Sequence, residues 1–215
     1  MKIALVFQAG NFVGREYYRV LCAAGMVPDW CLSIGAMSDS SIEYEKRRTG
    51  GLWNPPPIEN DVFHYDKWEE MVNVLGHADV AIQAGCGMIG RISLALPRLG
   101  WIGVHPGRIP DYRGANCPEW AFLNGEWTTQ LSAYWLTEDL DLGPIITHGA
   151  YSYHSGMSYE AWRAGLYPAC AETLARALSL ISEQRRARPV PRRGIIYPRM
   201  TEEQIDKIRH TMRAM

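Results

Sequence analysis

A chain of 215 residues, 47% of them hydrophobic, is long enough for one large domain, or one domain with a small appendage, and can bury a substantial core. Its 22 basic and 23 acidic side chains leave a net charge of −1, without the basic stripe that a nucleic-acid partner calls for. No apolar run approaches the roughly 18 residues of a membrane span. Five dispersed cysteines with no C-x-x-C pair argue against a zinc site or a disulfide framework and suit a reducing cytoplasm.

The apolar run Ile3 to Phe7 reads as a buried parallel strand, too short for a signal peptide. Gly10-Asn-Phe-Val-Gly14 follows as a turn, and a helix is expected from about Arg15 to Ala24, stopped by Gly25. This turn is not G-x-G-x-x-G, and no acidic residue closes a clear second strand, which argues against a nicotinamide dinucleotide site. Its N–H groups either meet an anionic ligand or simply let the chain turn. Trp30 to Ile34 is the second strand. Residues Met37 to Pro57, mostly polar with Gly50-Gly51 and Pro55 to Pro57, read as a long irregular insertion. Trp53 within it either stacks on a ligand ring or packs the loop.

A helix is expected over Asp66 to Leu75, with Asp66 as N-cap, then a third strand from Asp79 to Gln83. That strand ends in a glycine-rich turn, Ala84 to Ile89. A short helix near Arg91 to Leu96 leads to the strand Trp101 to His105. Pro118 to Leu123 is helical, Gln130 to Leu136 and Ile145 to Ser152 are strands, and Ser158 caps a long helix reaching about Glu183. Arg185 to Arg188 with Arg192-Arg193 reads as a solvated linker before a tail helix capped by Thr201.

Strand–helix alternation over the first 125 residues makes the fold class α/β, a Rossmann-like, mostly parallel sheet flanked by helices. The later strands, with no helix between them, pair antiparallel. The expected division is a catalytic domain over residues 1–185 and a linker with a C-terminal helix over 186–215. The long helix and the tail helix either form a homodimer surface or cover the sheet.

His105 ends an apolar strand and is followed by Pro106-Gly107, at the carboxyl edge where open α/β sheets bind ligands. Glu138-Asp-Leu-Asp-Leu-Gly-Pro-Ile-Ile146 sets a carboxylate before another apolar run. A histidine and an aspartate in such loops make a candidate acid/base pair.

The segment Gly103-Val-His-Pro-Gly-Arg-Ile-Pro-Asp-Tyr-Arg-Gly114, followed by Pro118-Glu-Trp-Ala121 and Asn124-Gly-Glu126, resembles the folate-dependent formyltransferases. The resemblance extends from about Val80 to Ile146, with the 138–146 loop and the 84–89 turn matching the family's later motifs. It implies 10-formyl-tetrahydrofolate as donor and a small amine as acceptor, with His105 and Asp141 as the catalytic pair. It further implies that Cys86, Gly87, Met88, Ile89, Leu140 and Asp141 line the pterin slot, which main-chain groups read. Gly103 stands where the family carries asparagine. Either another donor replaces that amide, Asn116 being the nearest by sequence, or the chain binds folate with little transfer. Hydrolysis of the donor to formate is a third reading. The segment after Tyr151, about 65 mostly helical residues, does not match the basic barrel of methionyl-tRNA formyltransferases.

Overall fold

A computed structural model describes residues 1–190 and 193–215. Strand β1 (Ile3–Ala9) is apolar almost throughout because both of its faces are covered. Leu5 and Phe7 pack with Tyr17 and Leu21, while Ala4 and Val6 pack with Leu32 and Leu75. Helix α1 (Phe12–Ala23) starts inside the segment expected as a turn. Asn11 is its N-cap and accepts the Val13 N–H at 2.8 Å.

After β2 (Trp30–Ala36), the expected irregular stretch contains helix α2 (Asp39–Arg48), capped by Ser38, and an edge strand β3 (Val62–Tyr65) lies just beyond it. No residue of α2 is buried, so no apolar period reveals it. Polar contacts hold it instead: Tyr167 Oη donates to Glu45 at 2.7 Å, and Arg48 donates to Glu119 at 3.0 Å. Trp53 belongs to the body of the protein. It is 5% exposed, stacks on Tyr167 at 3.7 Å and donates to Glu16 at 3.2 Å.

The helix expected over Asp66 to Leu75 is a 3-10 turn (Trp68–Met71) followed by α3 (Val72–His77). Asp66 is not its cap. The Glu70 carboxylate turns back onto the Asp66 N–H at 3.1 Å, leaving Lys67 as the capping position.

Strand β4 (Val80–Gln83), helix α4 (Arg91–Leu94) and strand β5 (Gly100–His105) follow the hydrophobic pattern. A two-residue strand β6 (Arg113–Gly114) precedes helix α5 (Cys117–Leu123). Then come β7 (Thr128–Trp135), β8 (Ile145–Ser152), helix α6 (Tyr159–Ser182), β9 (Ile196–Tyr197) and helix α7 (Glu202–Arg213).

The main sheet has the order β3-β2-β1-β4-β5-β7-β8. Its first five strands are parallel; β7 runs antiparallel to β5, and β8 to β7. Helix α6 covers this sheet, with Leu166, Leu174 and Leu178 against Ile82, Ile102 and Leu131. No helix of the described residues is long and apolar enough to cross a membrane.

The segment after residue 185 is exposed over most of its described length, as a solvated linker would be, but it is also tied to the body. Ile145 and Arg188 exchange backbone hydrogen bonds at 2.8 and 2.7 Å, and β9 pairs in parallel with β6. Ile205, Ile208 and Met212 of α7 pack into a cluster with Phe122, Tyr153 and Trp162. Each such side chain taken fully out of water contributes roughly 1.5–3 kcal/mol, which is why the tail docks. Arg192 of the basic cluster lies outside the described residues.

Candidate active site

His105 is the last residue of β5 and is 7% exposed. Its Nε2 lies 2.9 Å from the Tyr112 carbonyl oxygen, which can only accept, so Nε2 carries a proton. Nδ1 is then the free base, and it faces Asp141 Oδ2 at 3.5 Å. Burial lowers the histidine pKa below its ordinary value, while the Asp141 charge and the Tyr112 carbonyl pull it back up. The ring is therefore a neutral base whose protonated form already has two waiting acceptors.

The loop that holds this ring in place depends on Gly107. A Cβ there would fall 2.8 Å from His105 Nε2 and 2.8 Å from the Tyr112 oxygen. Ser132, opposite His105 on β7, fixes the same loop. Its hydroxyl donates to the Gly107 carbonyl at 2.7 Å and accepts the Ile109 N–H at 3.1 Å.

Asp141 has a left-handed backbone, φ 46°, which turns its carboxylate back toward β5. Both oxygens have neutral donors. Tyr134 Oη donates to Oδ1 at 2.9 Å, and the Gly114 N–H donates to Oδ2 at 2.9 Å. Burial, reinforced by the Asp141 charge, pushes the Tyr134 phenol well up, so it stays a donor. Gly114 has φ 91°, and a Cβ there would collide with the Tyr197 oxygen at 2.4 Å. Buried Arg113 holds the loop from behind, donating to the Leu140 carbonyl through Nε at 2.8 Å and to the Arg193 carbonyl at 2.5 Å.

A cavity of about 470 Å³ opens at the carboxyl ends of β4 and β5. His105, Asp141 and Gly103 line it together with Gly87, Met88, Ile89 and Leu140. Of the sequence-predicted pterin contacts, Cys86 is not on this wall. It is buried against Leu32 and Trp101, and burial pushes its thiol up to about 12. Met88 is 90% exposed at the rim. The Leu140 carbonyl accepts from Arg113 at 2.8 Å. Asn116 does not line this cavity. Its side-chain oxygen accepts the Met200 N–H at 3.1 Å, and its nitrogen is buried with no hydrogen-bond partner among the described residues. Tyr134, Arg113, Ser132 and Gly107 were not singled out from the sequence, although Arg113 and Gly107 lie inside the quoted motif.

A doubly covered, mostly parallel sheet with a cavity at its carboxyl edge is the architecture of α/β proteins that bind ligands there. Residues 64–161 match the formyl transferase family. It is 44% identical over 68 residues to methionyl-tRNA formyltransferase of Thermotoga maritima, a stretch covering 31% of this chain and 22% of that protein. With the Clostridioides difficile methionyl-tRNA formyltransferase it shares 32% over 113 residues, 52% of this chain and 37% of the relative. The matches therefore span well under half of these curated relatives. Among solved structures, glycinamide ribonucleotide transformylase 1 from Symbiobacterium toebii superposes with a TM-score of 0.62 at 20% identity, covering 88% of this chain and 94% of that one. HypX from Aquifex aeolicus, in complex with tetrahydrofolic acid, gives 0.63 at 15% identity, covering 95% of this chain and 30% of that one. At these identities the structural likeness establishes the fold.

Proposed function

We propose that this chain transfers a formyl group from 10-formyl-tetrahydrofolate to the amine of a small molecule. The observation that carries the reading is the His105 Nδ1–Asp141 Oδ2 separation of 3.5 Å at the cavity wall. The acceptor nitrogen attacks the formyl carbon, forming the C–N bond, and the carbonyl electron pair moves onto oxygen. The attacking nitrogen, now cationic, gives its proton to His105 Nδ1, directly or through one water. The imidazolium then donates from Nε2 to the Tyr112 carbonyl and from Nδ1 to Asp141. As the oxyanion collapses, the bond from carbon to N10 breaks and the same proton returns to N10. Every proton is accounted for, and tetrahydrofolate leaves. The solved complex of HypX with tetrahydrofolic acid supports a folate in this fold.

A second cavity, about 410 Å³, lies beyond the carboxyl end of β1 between Phe12, Arg15, Lys46 and Trp53. Its size suits a small acceptor, and its two cations favour an anionic one, such as an amino sugar nucleotide or an amino acid. The test is tetrahydrofolate release from 10-formyl-tetrahydrofolate, with and without a pool of nucleotide amino sugars and amino acids. Release that depends on the pool is the expected result. Release without any amine would replace transfer by hydrolysis, and no release at all would reduce the chain to a folate binder.

A further inference from the structure

Transfer through a tetrahedral oxyanion calls for a hydrogen-bond donor at the formyl oxygen, and residue 103 has no side chain to provide one. We infer that the side-chain amide of Gln83 is that donor. The inference rests on the transfer reaction proposed above.

Strands β4 and β5 are parallel, with Ile82 beside Ile102, so Gln83 lies beside Gly103. Side chains alternate along a strand, so both positions face away from the core that holds Ile82 and Ile102. A Cβ built on Gly103 would lie 3.7 Å from Gln83 Oε1 and 3.9 Å from Gln83 Cβ. It would also lie 3.0 Å from Leu136 Cδ1. The space beside residue 103 is thus already filled, by a carboxamide on one side and an aliphatic chain on the other. Gln83 brings the same functional group as an asparagine, carried from the neighbouring strand on a side chain one methylene longer.

Gln83 is also oriented. Its amide nitrogen donates to the Gly87 carbonyl at 3.2 Å, within the glycine-rich turn that lines the same cavity. A carboxamide nitrogen has two N–H groups. One is directed to Gly87, and the other is the one assigned to the formyl oxygen once folate is bound. Gln83, Gly103, His105 and Asp141 all face this one cavity, so donor and base act on one reacting carbon. A polar residue at a strand end needs no such role. Here, however, it is seated against a glycine that opens the wall of the site.

The test uses the whole chain and a stable 10-formyl deazafolate labelled with ¹³C at the formyl carbon. Infrared difference spectra read the formyl carbonyl stretch in the complex, and turnover of 10-formyl-tetrahydrofolate is measured in parallel. In Gln83→Leu, which keeps the volume beside Leu136, the band should move to higher wavenumber. Its kcat should fall about 10²- to 10³-fold, the typical loss for one oxyanion donor. The dissociation constant of the analogue should change far less. If Gln83→Leu does not fold, Gln83→Glu, an isostere without the N–H groups, should show the same band shift. Gln83→Ala combined with Gly103→Asn should recover part of the lost rate. An unmoved band with unchanged kcat in a folded variant that still binds the analogue would overturn the role of Gln83 alone. Failure of the unsubstituted protein to bind the analogue would overturn the donor assignment, and this inference with it.

Discussion

Two clusters of buried charge lie close together in the sequence, and they are built on opposite plans. Glu119, fully buried on α5, meets Arg48 at 3.0 Å, Arg163 at 3.4 Å and the Tyr159 hydroxyl at 3.0 Å. Burial pushes its carboxyl up, but the two guanidiniums outweigh this and hold it below its ordinary value. Its opposite charges touch directly, joining α2, α5 and α6. Asp141, by contrast, pairs with no arginine or lysine among the described residues. Its oxygens take neutral donors, and its basic partner is held at 3.5 Å, too far for a short hydrogen bond. The first arrangement is turned inward, although Glu119 Oε2 and the Nε of both arginines are buried without a hydrogen-bond partner among the described residues. The second leaves one lone pair and one charge facing a cavity. A buried ion pair in direct contact joins helices, whereas a pair held apart beside a cavity suits the proton transfer proposed above.

The contrast can be broken by removing one member from each. Glu119→Ala strands two buried arginines and should cost about 3–5 kcal/mol in urea unfolding, while folded molecules keep their turnover. His105→Ala should do the reverse, lowering kcat by about 10²- to 10⁴-fold with little change in the unfolding midpoint. If both variants lost stability and rate in the same proportion, the two clusters would be one unit and the distinction would fail.

The pH profile sharpens the comparison. With His105 depressed by burial, the acid limb of kcat should lie below the ordinary histidine value of about 6.5. Asp141→Asn removes the charge that raises this pKa, so the limb should move further toward acid while the rate falls. Movement toward neutral pH would show that another group is the base. Stability follows the same sign. His105 contributes fully above about pH 6.5 and loses that contribution as pH falls toward its lowered folded value. Glu119 does so at lower pH, from about 4.3 downward.

Smaller effects are expected where one donor among several is lost. Tyr134→Phe removes one of two donors to Asp141, and at about 0.5–1.5 kcal/mol per bond kcat should fall roughly threefold to tenfold. At the far end, Arg47→Ala deletes an exposed pair with Glu202 and should change unfolding by less than about 1 kcal/mol. Its effect should disappear in high salt.

The sheet was legible because strands buried on both faces are continuous apolar runs, as Ile3 to Phe7 shows. Helix α2 was not, because it presents no apolar period and is held by Glu45 and Arg48 reaching to residues over seventy positions away. His105 and Asp141 could be read from their motif, and the structure places them on one cavity wall. Gln83 and Tyr134 could not be read in this way. Each appears as an ordinary strand residue until the neighbouring strand is known, since adjacency across a sheet has no signature in local spacing. Asn116 was the nearest amide along the chain to Gly103. Gln83 is nearer in space, and proximity in space is what chemistry requires.

The pairing of β6 with β9 has a consequence for how the chain matures on the ribosome. Gly114, whose N–H steadies Asp141, is flanked by Tyr197, and Arg113 reaches the Arg193 carbonyl. The loop that carries Asp141 has none of this backing until residue 197 has left the exit tunnel. A nascent chain stalled before that point would lack the backing that steadies Asp141 beside His105.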